Sequence, residues 1–120
     1  MACNEDMMPA MQSSTSSLGE FEQLVLLAVL QLGTEAYAVP VRQLILTRTR
    51  RDVARGALYT ALERLEAKGL LTSRVGEPLP ERGGRPRRYF TVTQQGLALL
   101  RDARAAVANL SSGLESVLEQ

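Results

Sequence analysis

Apolar residues recur along this chain in four helical stripes and one pair of short alternating runs. Phe21, Leu24, Val25, Ala28 and Leu32 fall at helical spacing, and Leu26, Leu27, Val29 and Leu30 fill the other faces. A helix is therefore expected from about Leu18 to Leu32, apolar nearly all round and buried on more than one side. Ser17 is its expected N-cap, Glu20 completes a capping box, and Gly33 ends it. A second helix is expected from about Ala38 to Thr49, with Pro40 tolerated in the first turn and Val41, Leu44 and Ile45 facing inward. A third, from about Val53 to Lys68, carries Leu58, Leu62 and Leu65 as its inner stripe, with Asp52 as cap and Gly69 just past its end. Gly56, Thr60, Glu63 and Ala67 then point the opposite way, flanked by Tyr59 and Arg64.

Leu71 to Val75 and Arg87 to Val92 read as paired strands, with Phe90 and Val92 on one face and Tyr89 and Thr91 on the other. The loop between them holds Gly76, Pro78, Pro80, Gly83, Gly84 and Pro86 and is expected to project into solvent. Thr93 caps a last helix expected from about Gln94 to Glu119, roughly 37 Å long at about 1.5 Å per residue. Its apolar positions, Leu100, Ala103, Val107, Leu110, Leu114 and Val117, follow alternating spacings of three and four, the a/d pattern of a helix–helix seam. One small domain cannot cover so long a stripe, so a homodimer is expected, although the same seam can also fold back on the first helix. Ser111-Ser112-Gly113 weakens this helix. Residues 1–17 show no periodicity and read as a disordered tail. The fold class is mainly α with a small β-hairpin: a winged helix-turn-helix over 18–93 followed by a dimerisation helix over 94–120.

Charge sharpens this picture. All 14 Lys and Arg lie between Arg42 and Arg104, a stretch that holds only six acids and so carries +8, although the whole chain is +1. A basic middle suits a polyanion. Only Lys68 is a lysine. Arginine is the better bidentate donor to phosphate and guanine, although genome composition also produces such a bias. Other chemistry is scarce. There is no His, and the single Cys, Cys3, lies in the tail, so no disulfide framework, metal site or cofactor is expected. With no phosphate loop either, the chain is not expected to be an enzyme. No apolar run approaches a membrane span and no signal peptide is recognisable, which points to the cytoplasm.

The segments Gly56-Ala-Leu-Tyr59, Leu62 with Arg64-Leu-Glu66, Gly69-Leu-Leu71, Arg85-Pro-Arg-Arg-Tyr-Phe90 and Thr93-Gln-Gln-Gly96 stand in a fixed order. Together they resemble the PadR family, the phenolic-acid-decarboxylase regulators, whose matching stretch reads G-x-L-Y, L-x-R-L-E-x-x-G-L, a basic wing, Y-Y-x-L-T and x-x-G. Ala36-Tyr37-Ala38 resembles the segment opening that family's second helix. The resemblance covers about residues 18–110. It implies a dimeric bacterial winged-helix transcription factor, usually a repressor on near-palindromic operators, with the C-terminal helix dimerising as in the short members. Three departures stand out. Ala54-Arg55 replaces the Ser or Thr before G-x-L-Y, the second Tyr of Y-Y is Phe90, and no Trp lies on the last helix. The last sets this chain apart from multidrug-sensing relatives that stack ligands on aromatic residues.

The candidate DNA-binding residues follow from the helix–wing pattern with this resemblance. On the third helix they are Arg55, Gly56, Ala57, Tyr59, Thr60 and Arg64: the small residues permit close approach, the helix N-terminus favours phosphate, and Arg55 or Arg64 can reach guanine bidentately. On the wing they are Arg82, Gly84, Arg85 and Arg87, within a run where Arg88 adds a fourth cation and Gly84-Arg85-Pro86 resembles an AT-hook core. Tyr37 and Tyr59 can donate hydroxyls to phosphate or sit half-buried with wet tips. The same helix face is also compatible with a solvated surface on which Glu63 and Arg64 pair with neighbours, and the loop with a merely flexible one. Arg42, Arg48, Arg50 and Arg51 read as general positive surface. A cavity between the first helix and a partner's last helix can take a small-molecule effector, which no residue here specifies. The competing function is a winged-helix module that binds protein rather than DNA.

Overall fold

The computed structural model describes residues 18–77 and 86–119. The tail, Ser17, and the wing-tip residues Arg82, Gly84 and Arg85 lie outside them. The element order is α1 (Glu20–Leu32), a 3-10 turn (Gly33–Glu35), α2 (Ala38–Thr49), α3 (Arg55–Ala67), β1 (Leu71–Val75), β2 (Arg88–Val92), α4 (Gln94–Ser111) and a one-turn α5 (Glu115–Leu118). No helix among the described residues is long and apolar enough to cross a membrane.

Local chemistry sets most boundaries, with three corrections. α1 begins at Glu20, not Leu18. Its N-cap is Gly19, whose N–H donates to the Glu22 carboxylate at 3.1 Å. The Glu20 carboxylate pairs with Arg51 at 3.3 Å. α3 begins two residues late, and Asp52 does not cap it. The cap is Ala54, with no side-chain bond, because Arg42 captures the preceding linker: its Nη2 pairs with Asp52 at 3.5 Å and its Nε donates to the Val53 carbonyl at 2.6 Å. Arg42 is thus a latch rather than free positive surface. Arg50, φ 63°, is the left-handed residue that closes α2. Third, the last helix stops at Ser111, and Gly113, φ 90°, turns the chain before α5.

The exit from α3 is decided by Gly69. At φ 80° its N–H donates to the Glu66 carbonyl (3.0 Å), while the Leu70 N–H donates to the Leu65 carbonyl (2.9 Å). This is a Schellman cap, and Leu65 and Leu70, both buried, form its hydrophobic contact. Leu71 therefore starts β1 directly under α3. β1 and β2 pair antiparallel with Leu71 opposite Val92, Ser73 opposite Phe90, Arg74 opposite Tyr89 and Val75 opposite Arg88. β2 also reaches across to the α1–α2 connection, where the Phe90 N–H donates to the Ala36 carbonyl at 2.8 Å.

The Thr93–Gly96 motif locks α4 to this hairpin. The Thr93 hydroxyl donates to the Gly69 carbonyl (2.8 Å) and accepts from the Gly96 N–H (3.0 Å), so one side chain caps α4 and ties it to the end of α3. Gly96 is buried, and a β-carbon there would overlap the Leu70 carbonyl oxygen. The close approach of helix to strand is what requires glycine. One core results, built from Val25, Leu26, Val29, Val41, Ile45, Leu58, Leu62, Leu65, Leu70, Leu71, Phe90 and Leu100, with smaller Ala28, Ala36 and Ala61 between. No polar or charged residue among the described ones is buried.

Candidate nucleic-acid interface

Burying Leu58, Ala61, Leu62 and Leu65 fixes the rotation of α3. Arg55, Gly56, Ala57, Tyr59, Thr60, Glu63, Arg64 and Ala67 are exposed as a consequence. The face is small and cationic over its first turns, with Glu63 as its one acid. A β-carbon at Gly56 would meet nothing within 4 Å, so no contact inside the protomer demands glycine there. The helix surface is low at this position.

Two hollows flank this face. On the hairpin side an open groove of about 860 Å³ is lined by Arg55, Tyr59, Leu62 and Glu63 of α3, Tyr37, Ala38 and Val39 at the start of α2, and Pro86, Arg87, Arg88 and Phe90 of the wing. On the other side Gly56, Ala57, Thr60 and Arg64 border the first turn of α1 with Glu20 and Glu22. Both of those acids are matched: Glu20 by Arg51, Glu22 by Lys68 at 2.9 Å. Burial raises the Glu22 pKa, but the Lys68 hydrogen bond, the Gly19 N–H and the charges of Lys68 and Arg64 outweigh it and hold the carboxyl below its ordinary 4.5. Arg51, which also lies over the Phe21 ring at 5.9 Å, is therefore engaged and not general positive surface.

The wing's two adjacent arginines go to different places. The Arg88 guanidinium pairs with Glu66 of α3 and donates from Nε to Ser73 Oγ at 3.1 Å, and that hydroxyl donates to Glu66 at 2.7 Å. Arg88 therefore fastens the hairpin to α3 and leaves the group of wing cations. Arg87 instead lies over the Tyr37 ring, 4.3 Å from its centroid. Tyr37 meets Tyr89 edge-on at 5.5 Å, and Arg74 lies over Tyr89 at 4.5 Å. Of the sequence candidates, then, Tyr37, Arg55, Tyr59 and Arg87 share one groove, while Gly56, Ala57, Thr60 and Arg64 line the neighbouring hollow. Arg74 and Tyr89 were not among the candidates. Their signal lies in strand register, since Arg74 stands directly opposite Tyr89, but that register is not fixed until the hairpin has formed.

The seam on the last helix divides. Leu100 is buried in the chain's own core and cannot serve a partner as expected; the reason is that Gly96 brings the first two turns of α4 down onto the hairpin and α1. Ala103 is half-buried. Beyond it α4 leaves the core, with Val107 64% and Leu110 85% exposed. Leu114 and Val117, also exposed, fall past the break at Gly113 and do not continue the α4 stripe in helical register.

Three packed helices, a two-stranded hairpin beside the third, and a helix returning over the core define a winged helix-turn-helix protein. Solved structures agree. A PadR-like transcription factor from Bacteroides fragilis is 27% identical, with 92% of this chain and 99% of that one covered and a TM-score of 0.65. A PadR family transcriptional regulator from Eggerthella lenta is 28% identical over 92% and 91%, TM-score 0.62. A PadR-like transcriptional regulator from Bacillus cereus, 19% identical, shares the fold at TM-score 0.66 over 91% and 98%. The model of the PadR-like transcriptional regulator family matches residues 26–102, and the chain belongs to that family. No curated protein sequence matches it.

Proposed function

We propose that this regulator is a homodimeric repressor that binds a near-palindromic operator in the cytoplasm. In this reading α3 enters the major groove with Arg55, Gly56, Ala57, Tyr59, Thr60 and Arg64. The wing, with Arg82, Gly84, Arg85 and Arg87, follows the adjacent backbone or minor groove. The observation that carries it is the shared groove: a surface-low, cationic helix face stands beside Tyr37 and Arg87, and the neighbouring acids Glu20 and Glu22 are neutralised by Arg51 and Lys68. A polyanion can approach such a face without meeting two bare carboxylates.

Dimerisation through Ala103, Val107 and Leu110, extended by Leu114 and Val117, is supported by the apolar positions that α4 leaves uncovered. Two copies then place two α3 helices on half-sites about one helical turn, roughly 10 bp, apart. The test is binding of duplex DNA from the region upstream of the gene. With about 6–10 phosphate contacts, affinity should fall roughly 10³–10⁵-fold between 50 and 200 mM salt. Light scattering should give twice the chain mass of 13.1 kDa, and Val107→Asp with Leu110→Asp should give the monomer and weaken DNA binding. Absence of any salt-sensitive shift at nanomolar protein overturns the reading in favour of a protein-binding module. Footprinting with candidate small molecules added tests for an effector.

A further inference from the structure

The column Arg87, Tyr37, Tyr89, Arg74 is built by strand geometry. Arg87 and Tyr89 are two residues apart on β2 and its approach, so their side chains leave the same face. Arg74 is the cross-strand partner of Tyr89 and shares that face. The ladder continues one step past the strands, the Gly76 N–H donating to the Arg87 carbonyl at 2.7 Å. A β-carbon on Gly76 would lie 2.7 Å from the Tyr89 ring, so glycine is what lets that ring lie over the hairpin. Tyr37 enters from the α1–α2 connection, held there because Ala36 accepts the Phe90 N–H. Arg74 also leans on that connection, with Nη2 3.5 Å from the Thr34 carbonyl.

Two guanidiniums are thus held at the two ends of a tyrosine pair, at the base of the wing. Neither has a carboxylate partner among the described residues, in contrast to Arg42, Arg51, Lys68 and Arg88. A guanidinium over an aromatic ring is held by the ring's electron-rich face and keeps its N–H edge free for an anion. Holding it in advance also removes part of the side-chain entropy that a flexible arginine loses on binding phosphate.

We infer that Arg74 and Arg87 form a pre-set pair of DNA-phosphate contacts, and that Tyr89 is the positioning residue that orients both: Arg74 lies on its ring, and Arg87 lies on the Tyr37 ring that Tyr89 meets edge-on. This rests on the DNA-binding reading above. The wing then contacts DNA from its base as well as its tip, and an uncharged residue governs how many phosphates are neutralised.

That last point supplies the test. The slope of log affinity against log salt counts neutralised phosphates, at about 0.9 per contact on duplex DNA. On duplex DNA from the upstream region, Arg74→Ala should lower the slope by about 2 for a dimer, one contact per protomer. Tyr89→Leu changes no charge, yet it should lower the slope by about 2–4, while Tyr89→Phe, which keeps the ring under Arg74 and removes only the hydroxyl beside Arg87, should lower it by no more than about 2. Thermal melts establish that the variants are folded, and Arg74, being exposed, reports even if Tyr89→Leu melts early. If Arg74→Ala and Tyr89→Leu keep the wild-type slope while Arg87→Ala lowers it, the positioning role is overturned and the DNA reading stands. If the wild-type protein shows no salt-sensitive binding, both fall.

Discussion

Arg87 and Arg88 are neighbours in sequence and end on opposite faces of one hairpin. The pleat sends Arg88 to Glu66 of α3 and Arg87 to the Tyr37 ring, although both line the groove beside α3. On the α3 side the polar atoms find partners within the protomer: Glu66, Ser73 and Arg88 satisfy one another and Phe90 is buried. On the other side cations rest on rings and no acid meets them among the described residues. A residue whose charge is already matched at home has little left to offer a phosphate. A residue whose charge is only cradled by an aromatic ring still has its donors. The contrast separates arginines that hold the fold from arginines free to use it, which their sequence positions alone do not do.

Five changes test that contrast. Phe90→Ala strikes the inner face hardest and should cost about 3–5 kcal/mol in urea unfolding, a large share of the about 5–15 kcal/mol that stabilises a typical domain. A cost under about 1 kcal/mol would mean that Phe90 is not core. Gly96→Ala comes next. Its β-carbon would collide with the Leu70 carbonyl and stand 3.1 Å from Val92 Cγ1, so prising α4 from the hairpin should cost about 1–3 kcal/mol. At roughly 4–8 °C per kcal/mol, the melting temperature reads this directly.

The arginines themselves give a smaller but sharper comparison. Arg88→Ala should lower stability by about 1 kcal/mol, with a double-mutant coupling to Glu66 of about 0.5–1 kcal/mol, since the pair is partly exposed and screened. Arg87→Ala should leave the unfolding transition near that of the wild type yet weaken DNA binding. Equal stability losses would erase the distinction between the two faces. The smallest effect concerns Glu22. Because folding lowers its pKa below 4.5, its contribution to stability is complete above the unfolded value and fades as the pH falls through the folded one. Unfolding followed from pH 6 down to pH 2 should show this loss, at most about 1 kcal/mol, and Lys68→Met should flatten it.

Much of the architecture was legible in the sequence because it is written in local signals. The bounds of α2, Ala38 to Thr49, and of β1, Leu71 to Val75, match the periodic reading. Gly69 announced the Schellman turn, and Thr93 with Gly96 announced the capped start of α4. The outward face of α3 was legible as well, since Leu58, Leu62 and Leu65 fix its rotation wherever the helix is placed. Part of what failed did so through contacts between residues distant in sequence. Asp52 looked like a cap until Arg42, ten positions earlier, claimed it. Ser17 and Glu20 looked like a capping box, but Gly19 and Glu22 supply the local bond and Arg51 takes Glu20. Leu100 fitted the a/d spacing of the last helix, yet spacing cannot tell an intramolecular neighbour from a partner's.

The sequence by itself therefore determined the order and type of the elements, which strand faces alternate and where the positive charge concentrates, because periodicity and composition act over a few residues. Only the tertiary structure decided which arginines remain available. Each of Arg42, Arg51, Arg74, Arg87 and Arg88 is the same cation on the same flexible stem. What distinguishes them is whether the fold brings a carboxylate, a backbone carbonyl or an aromatic ring within a few ångströms, and that is settled by strand register and helix packing rather than by any neighbour along the chain.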